Sequence, residues 1–187
     1  MSDAVAPMYG EVMTFRDTLD AETDRGCALM AAAYLDDQVE RLLRHSLLSD
    51  GKSLDDLFGR SGPLSSFSSR IDLCFAMGLL PKLACRDLRL IRRIRNQFAH
   101  LATPLSFDDP AILDRCRELH HVTRPDALTG RQHFTNGALG VCGVIHAHLG
   151  QASTPRVPTD ILVDPADRRL AAAQVLDDLR AAEPLDD

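Results

Sequence analysis

The sequence predicts an all-α fold, a multi-helix bundle followed by a loosely attached C-terminal helix. Apolar residues recur at three and four positions in segment after segment, the helical period. No stretch of useful length alternates apolar and polar residues as a half-buried strand would. Helix-start and helix-stop residues separate the periodic segments. Of 187 residues 45% are apolar and 26% charged, which excludes wholesale disorder. The expected organisation is a helical domain over residues 1–150 and a Pro-rich linker with a terminal helix over 151–187.

A first helix is expected over about residues 9–19 and a long second one over about 23–48. In the second, Ala28, Ala32, Leu35, Val39, Leu43 and Ser46 form one stripe, and Thr23 can cap its start. Cys27, Met30, Tyr34 and Leu48 form a second apolar strip. A helix apolar on two sides is either central or shared with a second copy, so a homodimer is expected. Asp50-Gly51 ends this helix. A short turn around residues 54–58 precedes the breaker Gly59-Arg60-Ser61-Gly62-Pro63. Leu64, Phe67, Ile71, Cys74 and Phe75 mark the next helix, closing near Gly78. Pro81 opens another that runs to His100, and Leu101-Ala102-Thr103-Pro104 stops it.

Asp108-Asp109-Pro110 starts a helix bearing Ile112, Leu113, Cys116 and Leu119. Residues 129–149 form a further helix with Phe134, Ala138, Val141 and Ile145 on one face. Its glycines 137, 140 and 143 weaken it alone but permit close approach of a neighbour. Residues 151–160 read as a linker. Asp164-Pro165 then starts a helix over about 166–180 with a thin apolar face of Leu170, Ala173, Leu176 and Leu179.

The formal charge is −6, which argues against a generic DNA-binding domain. Residues 1–61 carry 12 acids and 6 bases, and residues 151–187 carry 8 acids and 4 bases. Residues 62–105 invert the balance, with 2 acids and 7 bases, so an anionic partner should meet the chain there. No apolar run approaches the ~20 residues of a membrane span. The start, MSDAVAPMYGEVM, has neither a basic opening nor a long apolar stretch, so no secretory signal is expected. Five cysteines without CxxC spacing fit neither a disulfide framework nor a structural zinc site. The cytoplasm is the expected compartment.

Residues 81–100 carry the chemistry. On a wheel of about 100° per residue, Ile91, Leu88, Ile94 and Phe98 form the apolar face, with Asp87 among them. Lys82, Arg86, Arg89 and Arg93 share the opposite side as one basic stripe. The stripe is either a solvated face or a nucleic-acid or other anion-binding one, contacting phosphates in a salt-dependent manner. Arg95 falls inside the apolar face, where a guanidinium needs a partner. Asp36, within the core stripe of the long helix, is the expected buried ion-pair partner. Arg70 and Asp72 can pair with other helices.

The run Arg95-Asn96-Gln97-Phe98-Ala99-His100 ends the helix. The helix dipole favours a charged His100 there, and an imidazole exchanges protons near neutral pH. Arg95 beside it would stabilise a negatively charged oxygen, and Asn96 adds a donor. The three suit metal-independent RNA cleavage by the neighbouring 2′-hydroxyl. Alternatively His100 only caps the helix. Ser65, Ser66, Ser68 and Ser69 at a helix start read as capping residues or an anion cradle. His120-His121 and His146/His148 have poor metal-ligand spacing, so no metal or other cofactor is expected. Glycine-rich phosphate loops and Ser-His-Asp elements are absent.

The segment RLIRRIRNQFAH, residues 89–100, resembles the Arg-Asn…His signature of the HEPN superfamily, helical domains found in many prokaryotic RNases and nucleotide-binding proteins. A wider match is more specific. DRGCALMAAAYLDDQVERLLR, LFGRSGPLSSFSSRIDLCFAMGLL, DLRLIRRIRNQFAH and LSFDDPAILDRC resemble, in that order, the mannitol operon repressor family, over about residues 10–150. That resemblance implies a HEPN-like helical bundle and a bacterial transcriptional regulator without a recognisable helix-turn-helix, acting through a protein partner. Three functions follow: a non-catalytic dimeric regulator, which the longer resemblance favours; a HEPN-like RNase using Arg95 and His100; or a module that binds RNA or nucleotide without turnover. RNA or DNA stands as a candidate partner beside a protein.

Overall fold

The computed structural model describes residues 5–48, 51–100, 104–123, 128–151, 155, 169–170 and 173–178, with backbone alone at 5–9. Two compact units are present, Met1–Pro155 and Arg156–Asp187. The first contains seven helices among its described residues and no strand: α1 (Val5–Ala21), α2 (Asp24–Ser46), α3 (Lys52–Phe58), α4 (Phe67–Ala76), α5 (Lys82–Ala99), α6 (Pro110–Arg117) and α7 (Gly130–Leu149). No helix among the described residues is long and apolar enough to cross a membrane. In the second unit, residues 169–170 and 173–178 are helical, and Leu170, Val175 and Leu176 are exposed. The expected Asp164-Pro165 start and Leu179 lie outside the described residues, as does most of the linker.

α2 is the centre, packed against α5, α7, α4 and α1. The Thr23 hydroxyl accepts the Gly26 N–H at 3.1 Å and starts it as expected. Both of its apolar strips are used. Ala28, Ala32, Leu35, Val39 and Leu43 are buried on one side, and Cys27 is fully buried on the other. Tyr34 stacks on Phe15 of α1, ring centroids 4.1 Å apart. Half of the strip read as a dimer seam, Cys27 and Tyr34, is therefore covered within the chain. Only Met30 and Leu48 of it stay exposed. The N-terminal helix supplies the Tyr34 cover through Phe15, and it starts at Val5 rather than near residue 9.

α4 begins at Phe67, later than Leu64, because Ser66 takes the cap and accepts the Ser69 N–H at 3.1 Å. It ends in a Schellman turn. Gly78 stands at φ +70°, Leu79 N–H donates to Cys74 O and Gly78 N–H to Phe75 O. Pro81 then caps α5. α6 stops at Arg117, so Leu119 is buried from the segment beyond it. Thr129 and Gln132 form a capping box at the start of α7. Phe98, Phe107 and Phe134 join α5, the segment before α6, and α7 in a chain of rings with centroids 4.8 Å apart at each step.

The expected close approach to α7 occurs at two of the three glycines. A Cβ on Gly140 would collide with the His121 carbonyl, and one on Gly137 would lie 2.6 Å from Leu119 Cδ1. Gly143 faces open space.

Candidate functional site

α5 separates two chemistries around its circumference. Ala84, Leu88, Ile91, Ile94 and Phe98 are buried in the core. On the outer side Lys82, Arg86 and Arg93 are exposed and Arg89 is half-buried. Together with Leu83, Leu90 and Glu118 these four cations line a groove of about 530 Å³. Arg89 Nη2 lies 2.6 Å from Asp72 Oδ1 of α4. Lys82, Arg86 and Arg93 form no ion pair with a described residue. Four cations against Glu118 and the paired Asp72 leave a net positive lining, which focuses a positive potential in the groove.

Arg95 is placed differently from expectation. It is half-buried, and Asp36 does not pair with it. Arg70 of α4 takes that carboxylate, with Nη1 at 2.6 Å from Asp36 Oδ1 and Nη2 at 2.8 Å from Glu40 Oε2. Its Nε donates to Leu64 O at 2.8 Å. The planar guanidinium thus satisfies two carboxylates and a carbonyl at once, from a side chain only 11% exposed. Burial pushes the Asp36 carboxyl above its ordinary value, against the pull of Arg70; Arg95 acts on it only through its field. Arg44 extends the network, with Nε 2.8 Å from Glu40 and Nη1 3.4 Å from Asp55, and sits 4.4 Å over the Phe58 ring.

Asn96 and His100 are exposed. His100 terminates α5, its N–H donating to Gln97 O at 3.3 Å. Its carbonyl accepts from Arg25 Nη2 at 3.4 Å. Neither the groove nor the other two described cavities include Arg95, Asn96 or His100.

Two polar centres went unread in the sequence. Asp87 is fully buried on the core side of α5. Its carboxylate accepts the N–H groups of His120 and His121 at 2.9 and 3.0 Å. The Nδ1 atoms of both rings lie 3.2 and 2.7 Å from it. A carboxylate on an apolar wheel face was the available signal, but the partners lie 33 residues away or more. Asp24 is the second centre. It accepts from Ser106 Oγ, the Phe107 N–H and Arg131 Nη1 at 2.9–3.1 Å, which ties the starts of α2 and α7 to the α5–α6 connection.

A cavity of about 630 Å³ lies between α1 and α2, lined by Phe15, Met30, Tyr34, Gln38 and the Arg41–Glu11 pair among others. Nearby, buried His146 has Nε2 at 3.0 Å from Gln38 Oε1, and burial holds its pKa below the ordinary value. No group of three or more His, Cys, Asp or Glu among the described residues could hold a metal ion.

Comparison with known proteins follows the same outline. A chain of the crystal structure of the MtlR–HPr complex from Escherichia coli superposes with a TM-score of 0.56 at 19% identity, covering 76% of this chain and 98% of that one. At that identity the likeness establishes the fold alone. A comparison with curated proteins finds no match. The family model described as mannitol repressor matches residues 16–137, which span α2 to α6 and reach into both α1 and α7. With Arg70, Asp87 and the α5 groove all inside that match, the chain belongs to the mannitol repressor family.

Proposed function

We propose that this chain is a transcriptional regulator of the mannitol-repressor type that acts without catalysis, by binding a protein partner. The carrying observation is the family match, which covers most of the helical unit. A structural neighbour is a chain from a complex with the protein HPr. We extend that partner class to this chain, in the cytoplasm and as a homodimer. The acidic net charge supports a route to DNA through another protein rather than by broad phosphate contact.

The test is calorimetric titration of the full chain with the HPr of its own source organism. Binding with a Kd of about 10 µM or tighter is expected. Absence of heat at tenfold higher concentration overturns the reading. Light scattering of the same sample checks the dimer. In parallel, labelled RNA incubated without metal should stay intact; cleavage that vanishes in His100→Ala would replace the regulator by an RNase.

A further inference from the structure

The α5 groove does not end at its charges. α4 and α5 are joined by residues 77–81, and the Arg89–Asp72 pair ties their outer faces side by side. Phe75 stands one turn beyond Asp72 on α4, towards that connection. Phe75, Met77 and Leu83 are 49%, 39% and 47% exposed. Leu83 lines the groove beside Lys82 and Arg86, and Phe75 and Met77 lie at the C-terminal end of α4, just before the connection to α5. Surface apolar residues occurring singly need no explanation, but a group of them beside a groove of net positive charge has the composition of a protein interface.

We propose that this α4–α5 face docks an acidic, amphipathic segment of a protein partner. Phe75, Met77 and Leu83 would bury its apolar side chains, and Lys82, Arg86 and Arg93 would meet its carboxylates. The inference rests on the reading that the chain works through a protein partner, and it names the surface and the chemistry of that partner. Charge complementarity selects the occupant. The chain carries a net charge of −6, so an acidic partner is repelled over most of the surface and attracted here. Nucleic acid fits less well, because Met77 and Leu83 offer a phosphate backbone nothing and Phe75 alone gives bases a ring to stack on.

The experiment uses fluorescence anisotropy with the full chain and four labelled probes: a helical Leu/Glu peptide, poly-glutamate of equal length, a Leu/Lys peptide and oligouridylate. The Leu/Glu peptide should bind about tenfold or more tightly than poly-glutamate and weaken as salt rises, whereas any binding of the Leu/Lys peptide should not be weakened by charge reversal at this face. Arg86→Glu with Arg93→Glu should lower the affinity of the Leu/Glu peptide about tenfold or more, and Leu83→Ser should also weaken it. These side chains are exposed, so unchanged melting by circular dichroism certifies the variants.

Equal binding of the peptide by the charge-reversed variant sinks the proposal. So does oligouridylate binding that the reversal abolishes and Leu83→Ser leaves alone. If no peptide binds and reversal instead dissolves a dimer of the chain, the face belongs to a second copy and the proposal falls. HPr titrated into both proteins separates this inference from the reading beneath it. Equal HPr binding by wild type and variant removes the surface and keeps the reading. Peptide binding without HPr binding removes that partner and keeps the surface.

Discussion

Arg70 shows how much one side chain can decide. Its three contacts draw Asp36 and Glu40 of α2 and the Leu64 carbonyl together, so α2, α4 and the segment before α4 share one guanidinium. Removing it leaves two carboxylates facing each other with little solvent. Arg70→Met should destabilise the chain by about 3 kcal/mol at neutral pH, read from urea unfolding. The deficit should shrink on acidification. The folded-state pKa of Asp36 already lies above the ordinary 3.8, so its favourable share is complete below the unfolded value and is lost as pH rises through the folded one. Without Arg70 that pKa climbs further, and protonation relieves the variant as pH falls towards it. A pH-independent deficit would show that lost packing on Phe58 dominates. The apolar-face position of Asp36 was readable beforehand. Its partner was not, because helical wheels rank Arg95 as a suitable neighbour without saying that α4 reaches Asp36 first.

The helix boundaries divide by where their causes lie. Thr23, Gly78, Pro81, Pro110 and Thr129 set starts and stops through local backbone chemistry, and each was visible in the string of residues. The role of α1 was not, since the stacking of its Phe15 on Tyr34 is a contact between helices. The α7 glycines separate the two kinds of information within one helix. Gly140→Ala should cost about 2 kcal/mol, because a Cβ there meets the His121 carbonyl. Gly143→Ala should stabilise by about 0.5–1 kcal/mol, since open space leaves only the gain in helix propensity. Paired thermal or urea melts check both. Equal effects of the two substitutions would refute the close approach.

For the chain taken together, all five cysteines are free and buried in the helical unit. Burial pushes the thiols of Cys27, Cys74, Cys116 and Cys142 up to about 12, and that of Cys85 upward as well. Nucleophilicity needs the thiolate, so a disulfide reagent at neutral pH should label the native protein only as fast as it opens. All five should react promptly in denaturant. A thiol that reacts fast in the native state would contradict the packing around it.

Hydrophobic period, capping residues and charge distribution fixed the helical class, most helix positions and the basic stripe of α5, because each depends on residues a turn or two apart. The family likeness was equally present in the linear order of its segments. Which carboxylate meets which guanidinium, how Asp87 is satisfied, and which apolar strip stays exposed depend on neighbours 33 to 108 residues distant along the chain. Such pairings form only when helices pack, and a residue's type constrains the kind of partner it needs without specifying which packed helix will supply it.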